Sequence, residues 1–148
     1  MTGAETARAL VAEARRACLA TLDASGAPYA SLVLVVDDGA GNALLLLSDL
    51  AEHTKNLTRD PRASLLVEPA DPTPTPLASA RVTLVGKIAR ADDQDATRAK
   101  YVATHASAAV YAGFKDFAMY RLTVERAHLV AGFGKIEWIE SAAYLADS

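Results

Sequence analysis

The stretch Leu44 to Val67, LLLLSDLAEHTKNLTRDPRASLLV, ends an apolar run at Ser48 and then carries His53, Thr54 and Lys55 in a helix-like polar segment. Backbone N–H groups at a helix start lack intrahelical partners, so hydroxyls and one lysine gathered there make a pocket suited to a phosphate. Ser48, Thr54 and Lys55 are the natural ligands. The same spacing also suits a solvated helix face, and Asp49 and Glu52 bring negative charge to the helix start that would repel an anion unless turned away. Spacing alone leaves both readings open.

Other residues able to do chemistry are few. His128, in ERAHLVAG, falls within a strand, where a lone histidine is either a packed residue or a ligand. His105 ends a helix, where a protonated imidazole favours the dipole, and a structural role is expected. No group of His, Cys, Asp and Glu has zinc spacing, so no metal site is expected, and no serine has the setting of a nucleophile elbow. The single Cys18, in ACLATL, reads as a small buried strand residue and excludes an internal disulfide. Tyr111, Phe114 and Phe117 either wall a cleft for a flat cofactor or fill ordinary core. Gly132 and Gly134 in AGFGK suit a turn or a close approach to a ligand, and GFG lacks the third glycine of a dinucleotide fingerprint.

These residues need elements to position them. Thr2 and Glu5 match a capping box, and Ala7, Leu10, Val11 and Ala14 recur at helical spacing. CLATLDA, a Ser25-Gly26 turn and PYASLVLVVD form a hairpin; DDGAGN turns again and ALLLLS resumes the sheet, three antiparallel strands in succession. Asp49 caps a helix of about two turns that Asp60-Pro61 stops. Residues 62–68 alternate as a strand with one apolar face, Pro69 to Pro76 form an exposed loop holding four of the six prolines, and Gly86 marks a bulge in SARVTLVGKIAR. A second sizeable helix runs from Asp92 to Ser107. In the following strand Tyr120, Leu122 and Val124 face one way, and Arg121, Thr123 and Glu125 the other.

Six or seven strands in hairpin order with three inserted helices favour a mainly β, barrel-like antiparallel sheet in one domain spanning 1–148. LVLVV and ALLLL show little alternation, which suits strands covered on both faces by helices or by another copy of the chain. A hydrophobic fraction of 51% suffices for a real core. The net charge of −3 and the lack of a polybasic stripe argue against nucleic acid. MTGAETARAL fits neither a signal peptide nor a membrane span, so a soluble, cytoplasmic protein is expected.

The blocks from Gly26 to Pro69, followed by ARVTLVGKIARAD and FAMYRLTVERAHLVAGFGKIEWI, resemble the pyridoxamine 5′-phosphate oxidase-like FMN-binding split barrels. They look most like short members of the haem-utilisation, HugZ-like branch. The likeness runs in unbroken order from roughly Cys18 to Ile139. It implies a six-stranded antiparallel split barrel, a homodimer, and FMN in clefts between subunits. Carried over by position, Ser31, Leu32, Val33 and Leu34 match the strand beside the flavin ring. Ser48, His53, Thr54 and Lys55 match the phosphate segment, and Arg81 matches a flavin contact in the same cleft. Ser31 and Thr54 stand where the oxidase carries arginines, leaving Lys55 as the main local cation. The family's aromatic near the last strands has no counterpart except the apolar Val130 or Phe133. After Gly132 only Lys135 is basic, so oxidation of pyridoxamine 5′-phosphate itself is not expected.

An FMN-dependent oxidoreductase acting on a small molecule is the leading reading. A flavin supplies the redox chemistry, so no catalytic residue need be legible. Haem binding or haem breakdown is the alternative, and a non-catalytic partner-binding barrel is a third class.

Overall fold

The computed structural model describes residues 1–71, 73–132 and 134–145. Helix α1 (Gly3–Glu13) starts at the expected capping box: Glu5 N donates to the Thr2 hydroxyl at 3.1 Å, and Thr2 N donates to the Glu5 carboxylate at 2.9 Å. Ala7 and Val11, one turn apart on the helix, and Ala14 beyond its end are buried in the main core.

Strands β1 (Arg16–Leu22), β2 (Pro28–Leu34), β3 (Val36–Asp37) and β4 (Ala43–Ser48) come first, then α2 (Glu52–Arg59), β5 (Arg62–Val67) and β6 (Arg81–Arg90). Helix α3 (Gln94–Thr104), β7 (Phe117–Val130), β8 (Ile136–Glu140) and the short α4 (Ser141–Tyr144) complete the order. All eight strands join one antiparallel sheet in the order β2-β1-β5-β6-β7-β4-β3, with β8 also on β7. The long β7 makes this possible: its first half pairs with β4 and its second half with β8, while β6 runs along its other edge. The expected mainly β antiparallel class holds, with β3 and β8 added to the six strands.

Two neighbouring rows of residues define the sheet's two faces, because directly opposed strand residues share a face. Leu19, Leu65, Leu84, Ala127 and Ile139 stand opposite one another across five strands, and all are buried. One residue along, Leu32, Cys18, Leu66, Thr83, His128 and Trp138 form the outer row, where Leu32 is 72% and Trp138 52% exposed. Strand β4 is buried through Ala43–Leu47 on both faces: Leu45 and Leu47 enter the main core, while Leu44 and Leu46 pack with Tyr101, Ala108 and Met119. Gly86 sits at a break in register between β6 and β7, the expected bulge.

Cys18 and Asp49 depart from expectation. Cys18 is exposed, because the parity of β1 sends Ala17 and Leu19 inward and Cys18 out. Within one copy of the chain LVLVV is covered on one face: β2 is an edge strand, and Leu32 and Leu34 face outward. The expected strand PYASLVLVVD divides at Val35: β2 pairs antiparallel with β1 and β3 with β4, so the successive antiparallel order holds, although among the described residues no ladder joins β4 to β2 itself. Asp49 does not cap α2. Ala51 holds that position with no side-chain bond, while the Asp49 backbone N–H goes to Asp116 and its carboxylate pairs with Arg90 at 3.5 Å.

Candidate functional site

The outer row borders two largely apolar hollows. Two residues along from Cys18 lies Arg16, opposite Leu34, and two along from Thr83 lies Arg81, opposite Val130. Between them a groove of about 410 Å³ is lined by Leu66, Pro76 and Leu77 along with both arginines. A smaller hollow of about 240 Å³, bordered by Cys18 and Leu32, adjoins it and shares Arg16 and Leu66 with it. The proline loop forms one wall because its prolines cannot join a ladder. Arg81 clamps the loop to β6, donating to the carbonyls of Leu77 at 2.8 Å and Ser79 at 3.4 Å. Pro72, in the same loop, lies outside the described residues.

Glu68 and Asp71 share the groove wall with the two arginines. Among the described residues none of these four side chains forms an ion pair with another. The guanidinium of Arg81 is held by carbonyls that orient it without cancelling its charge. An apolar floor between the two guanidinium groups suits a flat apolar ligand with hydrogen-bond acceptors at its rim, while Glu68 and Asp71 balance the formal charge of the wall.

The start of α2 is built differently. His53 Nδ1 meets the Ser31 hydroxyl at 3.1 Å, and burial lowers the pKa of this imidazole below its ordinary 6.5. Fully buried Asn56 donates to the Thr21 hydroxyl at 3.0 Å and accepts from Arg59 at 2.7 Å, which fixes the helix's rotation over β1. Ser48 donates to the Asp116 carboxylate at 3.3 Å and accepts from Leu50 N at 3.1 Å. The Thr54 hydroxyl is buried with no partner among the described residues, and Lys55 is exposed.

The expected cofactor residues therefore divide. Ser31, His53, Thr54 and Lys55 gather at α2, with Ser48 at the end of the strand that feeds it. Val33 is core, while Leu32, Leu34 and Arg81 lie on the outer face. Arg81 opens β6, roughly 30 Å along the strand from Arg90, the partner of Asp49. Sequence reasoning missed Arg16 and Leu66. Their only local signal is parity: Arg16 shares the phase of Cys18, and Leu66 the polar phase of Ser64 in β5.

Farther along the outer row, the His128 and Trp138 rings are 4.6 Å apart, and the Arg126 guanidinium lies 4.3 Å from the Trp138 ring centre. His105 ends α3, where Nε2 bonds to the Val35 carbonyl at 2.9 Å, the expected structural role. Tyr111 and Phe117 pack 5.0 Å apart against the second core, which is the core reading, while Phe114 is half exposed. Phe133 lies outside the described residues. Among the described residues no helix is long and apolar enough to cross a membrane.

Comparison with known proteins places this geometry. A non-canonical haem oxygenase of Arabidopsis thaliana, HOZ, described as chloroplastic, is 35% identical over 111 residues, covering 72% of this chain and 33% of the relative. A structure described as a heme binding protein from Mycobacterium smegmatis superposes with a TM-score of 0.92 at 38% identity, over 99% of this chain and 61% of that one. This chain thus spans only part of the length of both. A Clostridium acetobutylicum protein related to general stress protein 26, of the pyridoxinephosphate oxidase family, has the same fold at 14% identity, with a TM-score of 0.71 over 95% of this chain and 97% of that one. The curled antiparallel sheet is a split barrel of the expected kind, and the haem side of the resemblance is the one these relatives carry. Since the family model for the CREG β-barrel matches from residue 1 to 146, the chain belongs to that family.

Proposed function

We propose that this protein binds haem in the outer-face groove, as a homodimer whose second subunit covers the exposed outer row. The observation that carries the reading is the apolar floor of Leu66 and Leu77 set between Arg16 and Arg81. Haem is flat and apolar with two carboxylates on one side, and those two guanidinium groups would hold them. When bound, haem supplies iron for oxygen and electron chemistry. The M. smegmatis protein described as heme binding and the Arabidopsis protein named as a haem oxygenase support the choice. The test is titration of the purified chain with haemin, followed by its Soret absorption. Saturable binding that weakens in Arg16→Ala and Arg81→Ala is expected, and absence of a bound spectrum would overturn the proposal.

Haem breakdown would be the enzymatic extension. Its test is loss of the Soret band when the loaded protein is given a reductant in air, against a band that persists.

A second reading, FMN at the start of α2 in an oxidoreductase, is favoured by one observation: the buried, unpartnered Thr54 hydroxyl. Against it stands Asp116, which accepts a hydrogen bond from the Ser48 hydroxyl and would repel a phosphate dianion, as Glu68 and Asp71 oppose carboxylates in the outer groove. Quenching of FMN fluorescence by the parent but not by Thr54→Val would support this second reading. Unquenched FMN would remove it.

A further inference from the structure

Resting on the haem reading above, we propose that His128 supplies the axial imidazole to the iron, because it stands in the outer row beside the Arg16–Arg81 groove and no described residue hydrogen-bonds to its ring. The chain has three histidines. His105 is committed to the Val35 carbonyl through Nε2, and its ring packs 4.9 Å from Tyr101 on the α3 side of the molecule. His53 is committed through Nδ1 to Ser31, whose row is the buried one: Ser31 stands opposite Leu19. Neither belongs to the face that carries the groove.

His128 does. It stands opposite Thr83, which stands opposite Leu66 of the groove. Two strand spacings separate His128 from Leu66, roughly 10 Å, so one flat macrocycle reaches both. Arg81 is two residues from Thr83 on the strand between them, placing a guanidinium at the same ligand's edge. Among the described residues neither ring nitrogen of His128 has a hydrogen-bond partner, yet the ring is not loose. Trp138 packs against it at 4.6 Å, and Arg126 lies over Trp138 in turn. A partly exposed imidazole braced by an aromatic keeps a nitrogen for coordination, and imidazole is a common ligand of haem iron.

The outer row also holds Cys18, whose thiol can ligate iron, two strands beyond Thr83 on the far side of Leu66. Its thiol is exposed, whereas Trp138 packs against His128.

The experiment uses the full chain, haemin as the probe, and absorption together with low-temperature electron paramagnetic resonance. The parent is expected to show a histidine-ligated ferric spectrum. His128→Ala and the better volume-matched His128→Gln should lose that signature, with haemin affinity falling about 10- to 100-fold, and free imidazole should restore the spectrum of the alanine variant. His105→Gln should keep the parent spectrum. Circular dichroism of the haem-free variants separates loss of ligation from loss of fold. Unchanged spectrum and affinity in both His128 variants would overturn the assignment, as would transfer of the loss to His53→Ala or Cys18→Ser. A parent that binds no haemin is a different failure and removes the haem reading itself.

Discussion

The Ser31 hydroxyl and His53 Nδ1 meet at 3.1 Å, and this bond ties edge strand β2 to the helix that follows β4. No ladder joins those two strands among the described residues, so the helix spans the split in the barrel. His53 is half-buried, and burial lowers its pKa. An imidazole whose folded pKa lies below its unfolded value of 6.5 binds more protons when unfolded in the window between the two. Its contribution to stability is therefore complete above about pH 6.5 and is lost as pH falls from there toward the folded value. The urea midpoint should drop between pH 7.5 and pH 5, and His53→Gln should flatten part of that slope. Equal slopes in parent and variant would remove His53 from the account.

Asn56 should matter more to stability than any neighbour on α2. Its amide satisfies Thr21 and Arg59 at zero exposure. Replacing it by alanine leaves a buried hydroxyl without its donor and should cost about 1–3 kcal/mol, read from urea unfolding. A cycle with Thr21→Val should recover part of that loss, whereas simple additivity would mean the two side chains act independently.

Gly86 tolerates no side chain. A Cβ at this position would collide with the backbone carbonyl of Thr123, which cannot rotate away as a flexible side chain could. Gly86→Ala should destabilise the chain by about 1–3 kcal/mol in the same unfolding assay, through distortion of the bulge. An unchanged midpoint would mean that β6 and β7 slide past each other freely here.

Leu32 tests the dimer. At 72% exposure it adds nothing to the core of one copy, while with Leu66 and Leu34 it forms an apolar strip on the outer face. A stable interface buries roughly 800 Å² per partner, and apolar burial contributes about 25 cal/mol per Å². Leu32→Glu should shift light scattering from dimer to monomer while leaving the circular dichroism intact. A parent already monomeric at low micromolar concentration would defeat the proposal.

Arg81 tests the groove without touching the core. Its guanidinium is fixed by the Leu77 and Ser79 carbonyls. A charge-assisted hydrogen bond contributes about 1.5–3 kcal/mol, so Arg81→Ala should weaken haemin binding by about one to two decades. Arg81→Lys should recover only part of this, because a point charge lacks the planar fork. Since the alanine variant also releases the proline loop, a rise in proteolysis between residues 69 and 80 should accompany the loss.

The sequence was most readable where one physical rule acted alone. Alternation in RASLLV and from Tyr120 to Glu125 gave the buried faces of β5 and of the first half of β7, the Thr2–Glu5 pair gave the start of α1, and a glycine inside an alternating strand gave the bulge. It misled where two rules competed. In ACLATL both phases are apolar or small, so only strand pairing shows that Leu19 turns inward and Cys18 outward. Asp49 satisfies the capping rule, yet its carboxylate pairs with Arg90, a partner that β6 brings from forty-one positions away. The groove was legible only at Arg81. Arg16, Leu66 and Leu77 come from three separate segments, and no local pattern joins them until β1, β5 and β6 lie side by side.

The one-residue offset between the buried and outer rows also bears on how this chain can change length. Parity is shared by six strands at once, so gaining or losing one residue inside β1, β5 or β6 would exchange an entire file of leucines with the file that carries Cys18, Thr83 and His128. Such a change would invert the molecule rather than lengthen it. Insertions and deletions are thereby steered into the connections at residues 23–27, 38–42 and 68–80, and the last of these forms a wall of the groove. Descendants of this sequence can thus reshape what the groove admits through a loop of variable length, while the sheet beneath it keeps its count.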